Sequence, residues 1–445
     1  MPEVSLASAE AEARDSQQGG ASSNGEVFDE AYDLPFARDF DKLGDRITSE
    51  RLDELEDRGW TVIENAFGLG WASALLQEMK WLHKQGLMAP NEMRFLLPGG
   101  RVVQTSKPHV FEADLHDFRL RRCLPELAAL FDAANAADDA GSRGLAGRLG
   151  SRIPLAGVSS GGAGNCSGNH EGSKHKLADG GGGGQRDGGD DSRSDDNGGG
   201  GGGVRDDGSA ANGGAANVSG SGGGAANPIE SIRAALKLQR NAGRGGCFPY
   251  HYDNPAPPSR RRLTCLVYLN PNWRDGDGGE LLLQPFLGRA VRLEPVMDRL
   301  VVFQSDSMLH RVLPARAERF CLTVWLDAPP GAGPGGVNRP EDAALRVSKE
   351  ILEDWPAWCN SLRRSPAQRL LARAVYAEEF EASLRECMAS GGAEGEEDGA
   401  AAAGHDEMLA AHRAQVAAAA RQPVTAALVR RLRETKELVE LGLLV

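Results

Sequence analysis

The sequence predicts a mainly β protein with flanking helices, its core a double-stranded β-helix (jelly roll). Eight short apolar runs crowd between Ala235 and Leu326, separated by Gly, Pro and Asn. Long stretches of helical spacing lie only outside that region. A Gly-rich tract interrupts the chain ahead of the strands, too poor in apolar residues to join any core.

Taken in order, residues 1–33 lack apolar periodicity and are expected to be disordered. Residues 34–138 are expected to form the N-terminal helical and strand part of a catalytic unit. A short helix from Ile47 carries Leu52 and Leu55 on one face and leads into a strand at Trp60–Ile63. A second helix places Leu75, Met79 and Leu82 at helical spacing, with Gly86 as its stop. A third spans Leu124–Ala134. Residues 139–228, with the runs Gly180–Gly184 and Gly198–Gly203, read as a disordered insertion looped out of one folded domain. His170, His175 and Cys166 are passengers within it.

Residues 229–329 then form the core. Its strands are predicted at Ala235–Gln239, Phe248–Asp253, Leu263–Leu269, Glu280–Gln284, Val291–Leu293, Arg299–Gln304, Leu309–Leu313 and Arg319–Leu326. Residues 330–445 read as a C-terminal helical extension, with helices at Val347–Leu352, Pro366–Cys387, Asp406–Ala420 and Thr425–Leu441. The acidic, Gly/Ala-rich stretch Gly391–Gly404 is expected to be loose.

The formal net charge is −13, with no basic block to follow a phosphate backbone, which argues against a nucleic-acid partner. No apolar run is long enough to cross a bilayer and no signal peptide is evident, so a cytoplasmic or nuclear location and no membrane association are expected. The seven cysteines are scattered, none in a CxxC pair, and read as free thiols in a reducing compartment.

The chemistry is concentrated in Pro249-Tyr250-His251-Tyr252-Asp253-Asn254-Pro255. On a strand, residues i and i+2 share a face, so His251 and Asp253 can present an imidazole and a carboxylate to one metal. His310, at the start of the seventh apolar run, can return beside them as a third ligand. Two histidines and a carboxylate leave coordination positions open, which suits iron(II). Zinc more often takes a closed set, or three ligands and a water. These three are the candidate catalytic and metal-binding residues. Arg319, nine residues beyond His310, opens an apolar strand, where an unpaired cation is costly. The distal carboxylate of a dicarboxylate co-substrate would satisfy it through a two-pronged bond. Thr323 and Tyr268 are placed to donate further bonds. Arg261, in the basic run Arg260–Arg262, and Trp325 are candidates for contact with a substrate.

These residues stand in motifs that resemble the prolyl hydroxylases of the 2-oxoglutarate/iron(II) oxygenase superfamily, and most of all the branch that modifies the hypoxia-inducible factor. The matching text is His251-x-Asp253-Asn254-Pro255, Thr264-Cys265-Leu266-Val267-Tyr268-Leu269-Asn270, Gly278-Gly279-Glu280-Leu281 and Asp298-Arg299-Leu300-Val301-Val302-Phe303. It closes with His310-x-Val312-x-Pro314-Ala315 and Arg319-Phe320-Cys321-Leu322-Thr323-Val324-Trp325. The resemblance covers roughly a quarter of the chain, Ala235–Ala328. It implies iron held by His251, Asp253 and His310, 2-oxoglutarate bound by Arg319, Tyr268 and Thr323, dioxygen as oxidant and ascorbate (vitamin C) as reductant. It further implies hydroxylation of prolyl residues in a protein or peptide, with release of succinate and CO2. One departure lies in Leu238-Gln239-Arg240-Asn241-Ala242-Gly243, which lacks the tyrosine that branch usually carries near the co-substrate. Two other functions stay open at this point. One is an oxygenase acting on a small molecule or a non-prolyl residue; the other is an inactive jelly-roll scaffold. Oligomeric state is not legible.

Overall fold

The computed structural model describes residues 40–96, 102–135, 234–254, 259–328, 353–363, 365–389 and 399–444. The expected disorder of 1–33 and 139–228 and the helix at Val347–Leu352 lie outside them.

Helices α1 (Phe40–Arg46) and α2 (Ser49–Arg58) come first. The side chain of Thr48 caps α2 by accepting from the Arg51 backbone N–H, and Gly59, at φ 82°, ends it. Strand β1 (Trp60–Ile63) follows, then α3 (Leu69–Lys84), which buries Trp71, Leu75, Met79 and Leu82. Next comes a hairpin absent from the sequence reading, β2 (Ala89–Leu96) with β3 (Val102–Asp114). Helices α4 (Phe118–Arg122) and α5 (Pro125–Asn135) complete this part. Glu78 on α3 is buried and accepts the backbone N–H groups of Glu126 and Leu127, both at 2.7 Å, at the N-terminus of α5.

The eight predicted strands are all present: β4 (Ala234–Asn241), β5 (Phe248–His251), β6 (Arg261–Tyr268), β7 (Leu281–Gln284), β8 (Val291–Leu293), β9 (Arg299–Gln304), β10 (Leu309–Val312) and β11 (Arg319–Asp327). With β1, β2 and β3 they form two facing antiparallel sheets, ordered β1-β9-β6-β11-β4-β3-β2 and β5-β10-β7-β8, the jelly-roll arrangement. Along β11 the two faces separate by strand periodicity. Phe320, Leu322, Val324 and Leu326 join a core shared with α3 and α5. Arg319, Cys321, Thr323 and Trp325 line the cavity between the sheets. The backbone N–H of Ala234 donates to Asn135 Oδ1 at 2.9 Å, so the end of α5 and the start of β4 stand side by side.

Beyond the strands lie α6 (Trp355–Arg363), a 3-10 turn (Pro366–Gln368), α7 (Arg369–Val375), α8 (Ala377–Ala389), α9 (Gly399–Ala420) and α10 (Pro423–Glu440). The single helix expected over Pro366–Cys387 is thus broken into three pieces. The stretch expected to be loose is helical from Gly399, because four consecutive alanines, the strongest helix formers, begin at Ala400. The free-thiol reading also needs correction: Cys247 and Cys387 form a disulfide, tying the approach to β5 to α8. Among the described residues, Cys123, Cys265, Cys321 and Cys359 are free, and no helix is long and apolar enough to cross a membrane.

Candidate active site

Strands β5 and β10 are neighbours, and their register sets His310 opposite His251, with ring centroids 4.3 Å apart. Because β5 ends at His251, Asp253 stands in the bend after the strand, and the i, i+2 argument does not orient it. The larger sheet does. Thr264 Oγ1 donates to Asp253 Oδ2 at 2.8 Å, and Trp325 Nε1 donates to the same oxygen at 3.2 Å. Oδ1 is left facing the imidazoles, 3.5 Å from His251 Nε2 and 3.6 Å from His310 Nε2.

Both rings are oriented as well. His251 Nδ1 donates to the Pro249 carbonyl at 2.8 Å, and His310 Nδ1 to the Met308 carbonyl at 3.1 Å. A carbonyl only accepts, so each Nδ1 carries a proton, and Nε2 is the ring nitrogen left to ligate a metal. Burial, reinforced by the His251 ring, pushes His310 down to about 4, which keeps it neutral. Burial raises the Asp253 carboxyl, but His310, His251 and Thr264 outweigh it and hold the group well below the usual range. Two imidazoles and one carboxylate, with ligand atoms all within 4.8 Å of one another, fit a divalent cation with an open side. His109 lies apart from them on β3, and this trio is the metal-capable group among the described residues.

The co-substrate end is equally defined. Arg319 is 2% exposed. Its guanidinium lies 5.0 Å from the Tyr268 ring centroid, and Nη1 makes a long contact of 3.4 Å to Gln239 Oε1. Arg319 Nε and the Tyr268 hydroxyl are buried with no hydrogen-bond partner among the described residues. Such groups are costly unless a ligand completes them, and a carboxylate matches both donors. Thr323 and Arg319 line the cavity that also contains the His251–Asp253–His310 cluster. Tyr268 does not line it; it is fully buried, and burial pushes its hydroxyl pKa upward, so it stays a donor. Gly279, at φ +76°, lets the backbone pass Arg319: a Cβ there would stand 2.7 Å from Arg319 Cδ.

Trp325 lines the cavity, but its indole is committed to Asp253. Arg261 stacks on the Trp325 ring at 4.0 Å and donates from Nη1 to the Asp253 carbonyl at 3.1 Å. Sequence reasoning missed Thr264, Gln239 and Lys107. It also missed the wall supplied by Arg369 and Arg373 of α7 and Phe380 and Leu384 of α8. Helical periodicity shows that such residues share a face, but not what that face covers.

A jelly roll with an open two-histidine, one-carboxylate cluster beside a buried, ligand-seeking arginine defines an iron(II)- and 2-oxoglutarate-dependent oxygenase. The profile of the 2OG-Fe(II) oxygenase superfamily matches residues 236–327. A solved prolyl 4-hydroxylase structure from Phytophthora capsici is similar at 36% identity and a TM-score of 0.60, covering 92% of this chain and 99% of that one. Human prolyl hydroxylase EGLN3 is 40% identical over 87 residues, 19% of this chain and 36% of that protein. Rat Egl nine homolog 1 is 41% identical over 87 residues, 25% of its length. The chain thus matches about a third or less of the length of these curated relatives. It belongs to the 2OG-Fe(II) oxygenase superfamily, whose cofactors are iron(II), 2-oxoglutarate and dioxygen.

Proposed function

We propose that this chain hydroxylates prolyl residues in a protein or peptide, with release of succinate and CO2. In this reading His251, Asp253 and His310 hold the iron, and Arg319, Tyr268 and Thr323 hold 2-oxoglutarate, with Arg261 and Trp325 beside the substrate. The observation that carries it is the buried Arg319, with Nε unpartnered, in the same cavity as the His251–Asp253–His310 cluster. The similarity to prolyl hydroxylases supports a prolyl target over a small molecule. The intact cluster together with Arg319 speaks against an inactive scaffold.

When bound, iron(II) with 2-oxoglutarate and dioxygen supplies the oxidising power, coupling decarboxylation of the co-substrate to insertion of one oxygen atom into a C–H bond. The chain's part is placement and exclusion of water. Thr264 and Trp325 turn Asp253 Oδ1 toward the histidines, and the two backbone carbonyls fix both rings. Tyr268 and Gln239 hold the Arg319 fork in one orientation. Ascorbate is proposed as the reductant that keeps the iron in its ferrous form. That need favours the cytoplasm or nucleus as its location.

The proposed unit includes 34–138 and 330–445 as well as the core at 229–329, with 139–228 looped out. The test is mass spectrometry of proline-containing peptides incubated with iron(II) and 2-oxoglutarate. A prolyl residue gaining one oxygen, with matched succinate, is expected. Succinate release driven by small molecules but by no peptide would overturn the prolyl assignment.

A further inference from the structure

The cavity that contains the metal cluster also holds a lysine that neither metal nor co-substrate binding uses. Lys107 of β3 lines it, half-buried, with Nζ 3.7 Å from the centroid of the Phe248 ring. Phe248 lies three residues before His251 on β5, and the two ring centroids are 6.1 Å apart. Phe248 is itself packed into a small buried cluster with Val110 and Val312. The amine thus rests on a platform built from the same strands that carry the histidines.

The carboxylates of the cavity are committed to other groups. Glu112 takes Lys237 at 3.0 Å on Oε1 and the Asn91 side-chain amide on Oε2. Asp253 gives Oδ2 to Thr264 and Trp325 and turns Oδ1 to the histidines. Glu92 has a partner of its own. Among the described residues, Lys107 makes neither a hydrogen bond nor an ion pair. Protonated or neutral, its amine keeps N–H groups to donate, and a donor withdrawn from water needs an acceptor. A prolyl residue supplies one. It has no backbone N–H, so an enzyme can grip its backbone only through carbonyl oxygens.

We propose that Lys107 donates a hydrogen bond to a backbone carbonyl oxygen flanking the target prolyl ring, and so sets the ring's place beside the metal cluster. The inference rests on the prolyl hydroxylase reading and adds a substrate contact to it. The full chain, loaded with iron(II) and 2-oxoglutarate, would be assayed on a proline peptide and on two (E)-alkene isosteres of it. Each isostere replaces one of the two peptide bonds flanking the ring, which keeps the trans shape and deletes one carbonyl oxygen. In the wild type, one isostere is expected to lose roughly tenfold in kcat/KM. Lys107→Met, with folding checked by thermal melts, should lose as much on the parent peptide and nothing further on that isostere. Isosteres that match the parent in the wild type would overturn the contact even without the variant. Equal losses on the isosteres in both proteins would overturn it too, and either result leaves the prolyl reading standing. Absence of hydroxylation on every peptide would overturn both.

Discussion

Trp325 on β11 donates its indole N–H to Asp253 Oδ2 at 3.2 Å, so a residue of the larger sheet aims a ligand carried by the bend after β5. Replacing it by phenylalanine keeps a ring beneath Arg261 but removes that bond. Trp325→Phe is therefore expected to weaken metal binding by about tenfold or more. Titration with cobalt(II), a redox-silent stand-in followed by its visible absorbance, would measure this. Unchanged affinity would show that Thr264 alone orients the carboxylate.

Arg319→Lys keeps the charge and removes the fork. Loss of a charge-assisted bond to the distal carboxylate should raise the KM for 2-oxoglutarate by roughly tenfold or more. Saturation curves for 2-oxoglutarate at fixed iron decide it. An unaltered KM would mean that the co-substrate sits elsewhere in the cavity.

Gly279→Ala attacks the same arginine from behind. The position has φ +76°, and the new methyl would meet Arg319 Cδ at 2.7 Å. We expect a loss of about 1–3 kcal/mol in stability, from backbone strain and overpacking. Weaker 2-oxoglutarate binding should accompany it. A denaturant melt together with a binding isotherm reads both effects, and a wild-type result in each would refute the close approach.

Lys107 lies with Nζ 3.7 Å from the Phe248 ring centroid. Burial, with help from Lys237 and against Glu112, pushes its amine from 10.5 down to about 7. The folded state therefore prefers the neutral amine, while the unfolded chain stays protonated up to about 10.5. Between these values folding releases a proton, so this group's contribution to stability rises with pH and is lost as pH falls toward 7. Lys107→Met should flatten the rise in Tm across that window relative to wild type. Parallel Tm–pH curves for the two proteins would contradict it.

The parts of this site that were legible were those in which sequence and strand geometry coincide. Arg319 was readable because a charged residue heads an apolar strand nine positions after His310. Its own alternation then sends Thr323 to the same side. Asp253 was found for a reason that the fold does not use, since it lies past the end of β5 and is aimed by Thr264 and Trp325. Those bonds cross between sheets, and no local pattern encodes them. The β2–β3 hairpin has Pro90 and Pro108 within its strands, so its residues never read as an alternating run. Cys247 and Cys387 are 140 residues apart, and no spacing rule joins them. The arginines of α7 showed only that one helical face repeats.

The hydrogen bond from Ala234 to Asn135 bears on how this gene can change over time. Asn135 and Ala234 are neighbours in space, so whatever lies between them is fixed at one spot, as a handle is at its base. Lengthening a handle does not move what it is fixed to, and doubling such a loop costs only roughly 0.6 kcal/mol in closure entropy. Insertions and deletions there can accumulate without disturbing the distance between His251 and His310. Descendants of this gene should therefore differ in length there long before they differ at the metal.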